Sequence, residues 1–258
     1  MTRARLYLYR AIFALAFLLV WQVASGWLVS PVYISSPVAV FQRLSELVAS
    51  GEIFRHAWIT AFEAAAGFLL GSLVAITAGL VLGRAQKAAE VLDPFIMGFY
   101  SLPKIALAPL FVMWFGIDYG MKIIFTAAVV FLVVFLNTYS GVRSVSREQI
   151  TVFRLMGASE NQVVRMVVIP AALTWVFAGL RLSAPYALVG AIVGEIIAGN
   201  RGLGYLVART TAQFDTAGAF ASIVAIVTLG VLLNTGIKVL ERAVMPWRVA
   251  DEAREVAI

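Results

Sequence analysis

Residues 64–83 read AAAGFLLGSLVAITAGLVLG, twenty positions without an aspartate, glutamate, lysine or arginine. About twenty residues of helix cross a bilayer, so this stretch reads as a membrane span. A small residue recurs at every fourth position, at Gly67, Gly71, Ala75, Gly79 and Gly83. Positions four apart form one ridge of a helix, and glycine there lets a neighbouring backbone approach closely. That ridge is predicted to be buried against protein. Gly190, Gly194 and Ala198 repeat the device later in the chain, so two spans are expected to share a compact bundle.

Working outward, the runs Ala11 to Gln42, Ile123 to Val142 and Thr216 to Ile237 are also uncharged over at least 20 residues each. Two further stretches carry charge but stay otherwise apolar: Pro94 to Ile117, with Lys104, and Leu173 to Ala198, with Arg181 and Glu195. Leaving either in water would strand a large hydrophobic surface. The predicted fold is therefore all-α and integral to the membrane, with six spans at about 11–30, 58–83, 95–116, 120–142, 173–198 and 217–239. The composition agrees, since 62% of the 258 residues are hydrophobic and only 13% charged, against about 25% charged in a soluble domain.

The N-terminus imitates a signal peptide, with Arg3, Arg5 and Arg10 ahead of an apolar stretch. That stretch runs from Ala11 to Val29, longer than the roughly 7–15 residues of a cleaved h-region, so a retained first helix is expected. Basic residues orient the bundle. With the N-terminus inside, twelve fall on the cytoplasmic side, including Arg84, Lys87, Arg143, Arg147, Arg154, Arg165, Arg242, Arg248 and Arg254. Only Arg43, Arg55, Arg201 and Arg209 fall outside. Both termini are thus placed inside, and the net charge of +6 is assigned to cytoplasmic loops rather than to a nucleic-acid partner. The expected division is an N-terminal helix and outer linker (1–57), a core (58–240) and a cytoplasmic tail (241–258). The absence of cysteine excludes disulfides and thiolate metal sites, and a lone histidine, His56, cannot build a His-rich centre.

The loop between the fourth and fifth spans carries two capping boxes, Ser146 with Gln149 and Ser159 with Gln162. Gly157 lies between them and Pro170 is expected to end the second helix. The pattern predicts a cytoplasmic helical hairpin that exposes Arg147, Arg154, Arg165, Glu148 and Glu160. Val152, Leu155, Met156, Val163, Met166 and Val167 are expected to give it apolar surface. Such a hairpin either packs on its own bundle or docks a cytoplasmic partner.

Gly157, nine residues, and then Val167-Val168-Ile169-Pro170 resemble the G-x9-I-x-L-P half of the EAA loop of permease subunits of bacterial ATP-binding-cassette importers. The family's Glu-Ala-Ala falls on Thr151-Val152-Phe153, a departure in residues at conserved spacing. Ser101-Leu102-Pro103-Lys104-Ile105-Ala106-Leu107-Ala108-Pro109-Leu110 followed by Trp114-Phe115-Gly116, Ile34-Ser35-Ser36-Pro37, and Gly202-Leu203-Gly204-Tyr205-Leu206 resemble the nitrate/sulfonate/taurine permease group. The resemblance runs from about residue 30 to 245. It implies a type I importer permease with an EAA-type loop at 146–170. The loop's ATPase-coupling residues would then be Thr151, Val152, Phe153, Gly157, Ala158, Ser159, Val167, Ile169 and Pro170.

The resemblance also implies partners: a second permease copy, two cytoplasmic ATPase subunits that hold ATP and magnesium, and an extracytoplasmic solute-binding protein. The chain itself has no G-x-x-x-x-G-K-[ST] loop and is expected to carry no cofactor. The implied solute is a small anion such as nitrate, a sulfonate or taurine. A vitamin precursor or aromatic acid is the alternative.

Charges inside a membrane face a cavity or a partner. Pro103 and Lys104, Arg181 and Glu195 are therefore the pathway candidates. Lys104 lies between Pro103 and Pro109, where it either meets an anion or pairs with Glu63 or Glu195. Arg181 either shares that role or snorkels from the inner end of its span. Glu63 and Glu195 fall toward outer ends, as gate groups or as partners of backbone or Arg201. The rival classes are weaker: a secondary transporter usually shows more spans or an internal repeat, and no catalytic set appears for an intramembrane enzyme.

Overall fold

The computed structural model describes residues 3–244, and the predicted tail, with Arg248 and Arg254, falls mostly outside the described residues. Among these the chain is helical throughout: α1 (Arg3–Trp27), α2 (Pro31–Ile34), α3 (Pro37–Ala49), α4 (Glu52–Arg84), α5 (Gln86–Ser101), α6 (Ala108–Phe115), α7 (Tyr119–Arg143), α8 (Arg147–Leu155), α9 (Glu160–Val163), α10 (Ile169–Ala198), α11 (Leu203–Ala212) and α12 (Thr216–Val244). A 3₁₀ turn, Lys104–Leu107, precedes α6, and a π turn, Val164–Val168, joins α9 to α10.

The glycine ridges set the packing. On α4, a Cβ at Gly67 would lie 2.5 Å from Thr126, one at Gly71 2.4 Å from the Ala127 carbonyl, one at Gly79 2.8 Å from Thr138 and one at Gly83 2.8 Å from Val142. Residue numbers rise together, so α4 and α7 run parallel. On α10 they run in opposition, Gly179 against Asn137, Gly190 against Thr126 and Gly194 against Lys122. The two ridges do not meet each other; both clasp α7, the central helix. Close backbone approach supplies the van der Waals contact that holds helices together in lipid.

Parallel packing of α4 and α7 also decides the number of crossings. Among the described residues five helices are long and apolar enough to span, and a sixth span is a bent pair, Lys87–Ser101 with Lys104–Phe115, at 81°. Because α4 and α7 point the same way, the chain between them must return across the membrane, so this broken pair is a crossing. The third span predicted as one helix over 95–116 is thus two, parted at Leu102 and Pro103: Pro103 lacks an N–H, and its ring disfavours a helical residue before it.

Pro170 is a second correction. It does not end a helix, because Glu160–Ala198 is one continuous 39-residue helix and Pro170 sits in the first turn of α10. The π turn just before it loosens the ladder where a proline has no N–H to give. The expected outer linker is helical too, as is the segment after α10. α3, capped by Ser36 accepting from the Ala39 amide at 3.3 Å, packs with α11 on the outer end of α12 through Val40, Leu47, Leu203, Leu206 and Ala221. α1 is held there by the Trp21 indole N–H donating to the Ile34 carbonyl at 3.1 Å, and its apolar length is bare within the protomer.

Candidate functional site

The inner hairpin is built from its caps. Ser146 accepts from the Gln149 amide at 3.3 Å to start α8. Its hydroxyl donates to the Glu148 carboxylate at 2.5 Å; that bond lowers the acid's pKa and keeps it charged at the positive end of the helix. The Ala158 N–H donates to Phe153 O and the Gly157 N–H to Arg154 O, both at 3.0 Å. This double closure with a left-handed residue at Gly157, φ +83°, is a Schellman motif. Nothing lies within 4 Å of where a Cβ would sit there, so the glycine answers to φ and not to space. Ser159 and Gln162 then close a full capping box, the Ser159 N–H donating to Gln162 Oε1 at 2.7 Å and the Gln162 N–H to Ser159 Oγ at 3.4 Å.

The hairpin divides its apolar residues. Val163 and Val168 join Val142 and Ala172 in a buried cluster on which Phe153, Ile150 and Ala158 pack, and Val167 is buried too. Val163 and Val167, expected on the hairpin surface, therefore belong to its base. Leu155 and Met156 stand 83% and 79% exposed at the tip, with Val152 and Met166 also exposed; Thr151, Ser159, Ile169 and Pro170 are exposed as well. The tip is an apolar knob on a stiff, doubly capped arm continuous with the 39-residue helix.

The pathway candidates separate. Lys104 stands at the break in the third span, its Nζ 3.3 Å from the Tyr100 carbonyl and 4.7 Å from the Tyr100 ring centre. There it caps the negative end of α5 and pairs with neither Glu63 nor Glu195. Arg181 on α10 forms an ion pair with the buried Glu241 of α12. Glu195 lies at the outer end of α10. The structure does not bring these three into one site.

Glu195 instead belongs to an outer polar lock. Three successive amides at the start of α11 are received by side chains of other spans: the Gly202 N–H by His56 Nδ1 at 2.9 Å, the Leu203 N–H by Thr60 Oγ1 at 2.8 Å, and the Gly204 N–H by Glu195 Oε2 at 2.6 Å. The Thr60 hydroxyl donates to Glu195 Oε1 at 2.7 Å. A helix leaves its first amides unpaired, and here two neighbouring spans supply the cap. The approach excludes side chains at the glycines: a Cβ at Gly202 would meet Glu195 at 2.1 Å and one at Gly204 would meet the Ile192 carbonyl at 2.5 Å. One turn deeper, Lys122 pairs with Glu63 at 3.3 Å, the two side chains 3% and 0% exposed. His56, Thr60 and Glu63 follow i, i+4, i+7 on α4, so the face that is glycine-lined at depth is polar at its outer end. Lys122 was missed: it precedes the uncharged run from Ile123 and stands 59 residues from its partner.

A parallel helix pair, a broken span and a capped inner hairpin together frame the molecule. Residues 67–246 match the model of the binding-protein-dependent transport system inner membrane component family. The chain is 34% identical to the putative aliphatic sulfonates transport permease protein SsuC of Bacillus subtilis, over 89% of this chain and 83% of the relative. It is 32% identical to the formylaminopyrimidine transport permease protein ThiX of Halalkalibacterium halodurans, over 92% of this chain and 94% of the relative. The permease fold is also that of a chain of the MetNI methionine ABC transporter, solved in inward-facing conformations, with a TM-score of 0.66 at 18% identity over 76% of this chain and 97% of that one. The chain therefore belongs to the inner membrane components of binding-protein-dependent transport systems, as a multi-pass permease of the ATP-binding-cassette importers with the type I permease fold.

Proposed function

We propose that two copies of this chain form the solute pathway of an importer, with two ATPase subunits gripping the hairpins and an extracytoplasmic binding protein delivering solute to the outer face. The observation that carries this reading is the bare Leu155–Met156 knob. Two large apolar side chains held in water by a capped hairpin mark a protein contact, and the helix behind them runs unbroken into the fifth span. A push on the knob therefore moves a span as a rigid body, the kind of switch that alternates access. ATP and magnesium sit on the ATPase in this reading. Mass measurement of the intact detergent complex should give two permeases and two ATPase subunits; a transport-competent monomer without an ATPase would overturn it.

The solute in this reading is a small anion such as a sulfonate, taurine or nitrate. Lys104, with no carboxylate partner among the described residues, is the cation offered to it where the third span breaks and Pro103 opens the backbone. Lys104→Met should keep assembly and basal ATP hydrolysis but reduce uptake. The similarity to a formylaminopyrimidine permease favours a second reading, a vitamin precursor carried by the same mechanism. Competition of alkanesulfonate, taurine, nitrate and formylaminopyrimidine in one uptake assay separates the two.

A further inference from the structure

The inner ends of α4 and α7 and the hairpin line a half-open cleft of about 290 Å³. Arg84, Arg143 and Arg154 line it against a single carboxylate, Glu160. Arg154 and Glu160 pair at 2.7 Å, and Arg143 donates to the Tyr139 hydroxyl at 3.1 Å. Arg84 has no hydrogen bond or ion pair among the described residues. The lining thus carries a surplus of two positive charges. The rest of the wall is largely apolar, with Val142, Val163 and Val168. α4 and α7 run parallel and both end here, so the cleft sits at the inner membrane boundary.

An arginine at the inner end of a span ordinarily reaches out to water or scattered headgroups. Arg84, Arg143 and Arg154 are likewise exposed, but all three converge on one valine-floored cleft with one counter-charge, which scattered snorkelling arginines do not. From this convergence we infer that the cleft binds a phosphate-bearing anion, either the headgroup of an inner-leaflet anionic phospholipid or a free phosphate ester. Basic pockets between transmembrane helices on the cytoplasmic side take such headgroups, and arginine matches phosphate in two-pronged geometry. Arg84 and Arg143 belong to spans and Arg154 to the hairpin, so one bound phosphate ties the moving arm to the bundle. Arg154 adjoins the knob in sequence, but Leu155 and Met156 do not line the cleft, so the inference does not rest on the docking reading.

The test is native mass spectrometry of the full-length chain, with the subunits that co-purify, titrated with phosphatidylglycerol or phosphatidylcholine, with and without millimolar inorganic phosphate. Phosphatidylglycerol should be retained over phosphatidylcholine, and Arg84→Gln or Arg154→Gln should each weaken retention about five-fold, the factor expected per basic residue at a membrane surface. Arg84→Lys should hold most of the binding, and Arg55→Gln on the outer side should leave it unchanged. Displacement of the lipid by phosphate alone assigns the site to a soluble phosphate ester; resistance to phosphate assigns it to the lipid. Equal retention of both lipids, or retention in Arg84→Gln and Arg154→Gln equal to that in Arg55→Gln when all three variants melt alike without lipid, would overturn the inference.

Discussion

The inner hairpin and the outer lock both solve the same problem, unpaired amides at helix starts, in opposite ways. α8 and α9 are capped by Ser146 and Ser159, each from within its own turn. α11 is capped by His56, Thr60 and Glu195, from as far as 146 residues away. Local caps make an element that keeps its shape while it moves against the rest. Caps supplied by neighbouring spans weld an element to the bundle. The hairpin is accordingly built to travel and the outer lock to stay.

Breaking the weld should cost most. Lys122→Met leaves Glu63 buried without its cation, for which about 3–5 kcal/mol is expected, read as a large fall in Tm of the detergent-solubilised protein. Lys122→Met combined with Glu63→Gln should recover most of the loss, since the pair is coupled; a double variant as unstable as the single one would remove the ion pair from the account. Gly202→Ala forces a Cβ onto Glu195 at φ +104° and should cost about 2–3 kcal/mol. Thr60→Val, which strips the acceptor from the Leu203 amide, should cost about 1 kcal/mol. At the hairpin the same kind of change stays local. Gly157→Val meets positive φ without a clash, so about 1 kcal/mol of strain should leave insertion intact yet weaken ATPase binding or uncouple hydrolysis from uptake. Normal coupled transport by Gly157→Val would erase the contrast between the two ends.

The same contrast explains what the sequence could disclose. The spans, the Gly67 to Gly83 ridge and the two serine caps are written in residues a few positions apart, where period and spacing carry the signal. The lock is written across distant segments: nothing near Gly202-Leu203-Gly204 announces that Glu195 occupies the space a side chain there would take. Lys122 was hidden for the same reason, and Arg181 reads as a pathway or snorkelling residue because its partner Glu241 lies 60 residues on. The break of the third span was half visible, since Pro103 marked the place but gave no angle. Pro170 read as a stop because the π turn that accommodates it leaves no mark in composition.

The most direct test replaces the knob alone. Leu155 and Met156 contribute almost no burial to this chain, so the double change Leu155→Asp, Met156→Asp should leave the thermal melt and membrane insertion unchanged. Co-purification of the ATPase and ATP-driven uptake in vesicles supplied with the binding protein should then both be lost. Full stoichiometric assembly and normal uptake by that variant would contradict the assignment of the hairpin as the coupling element.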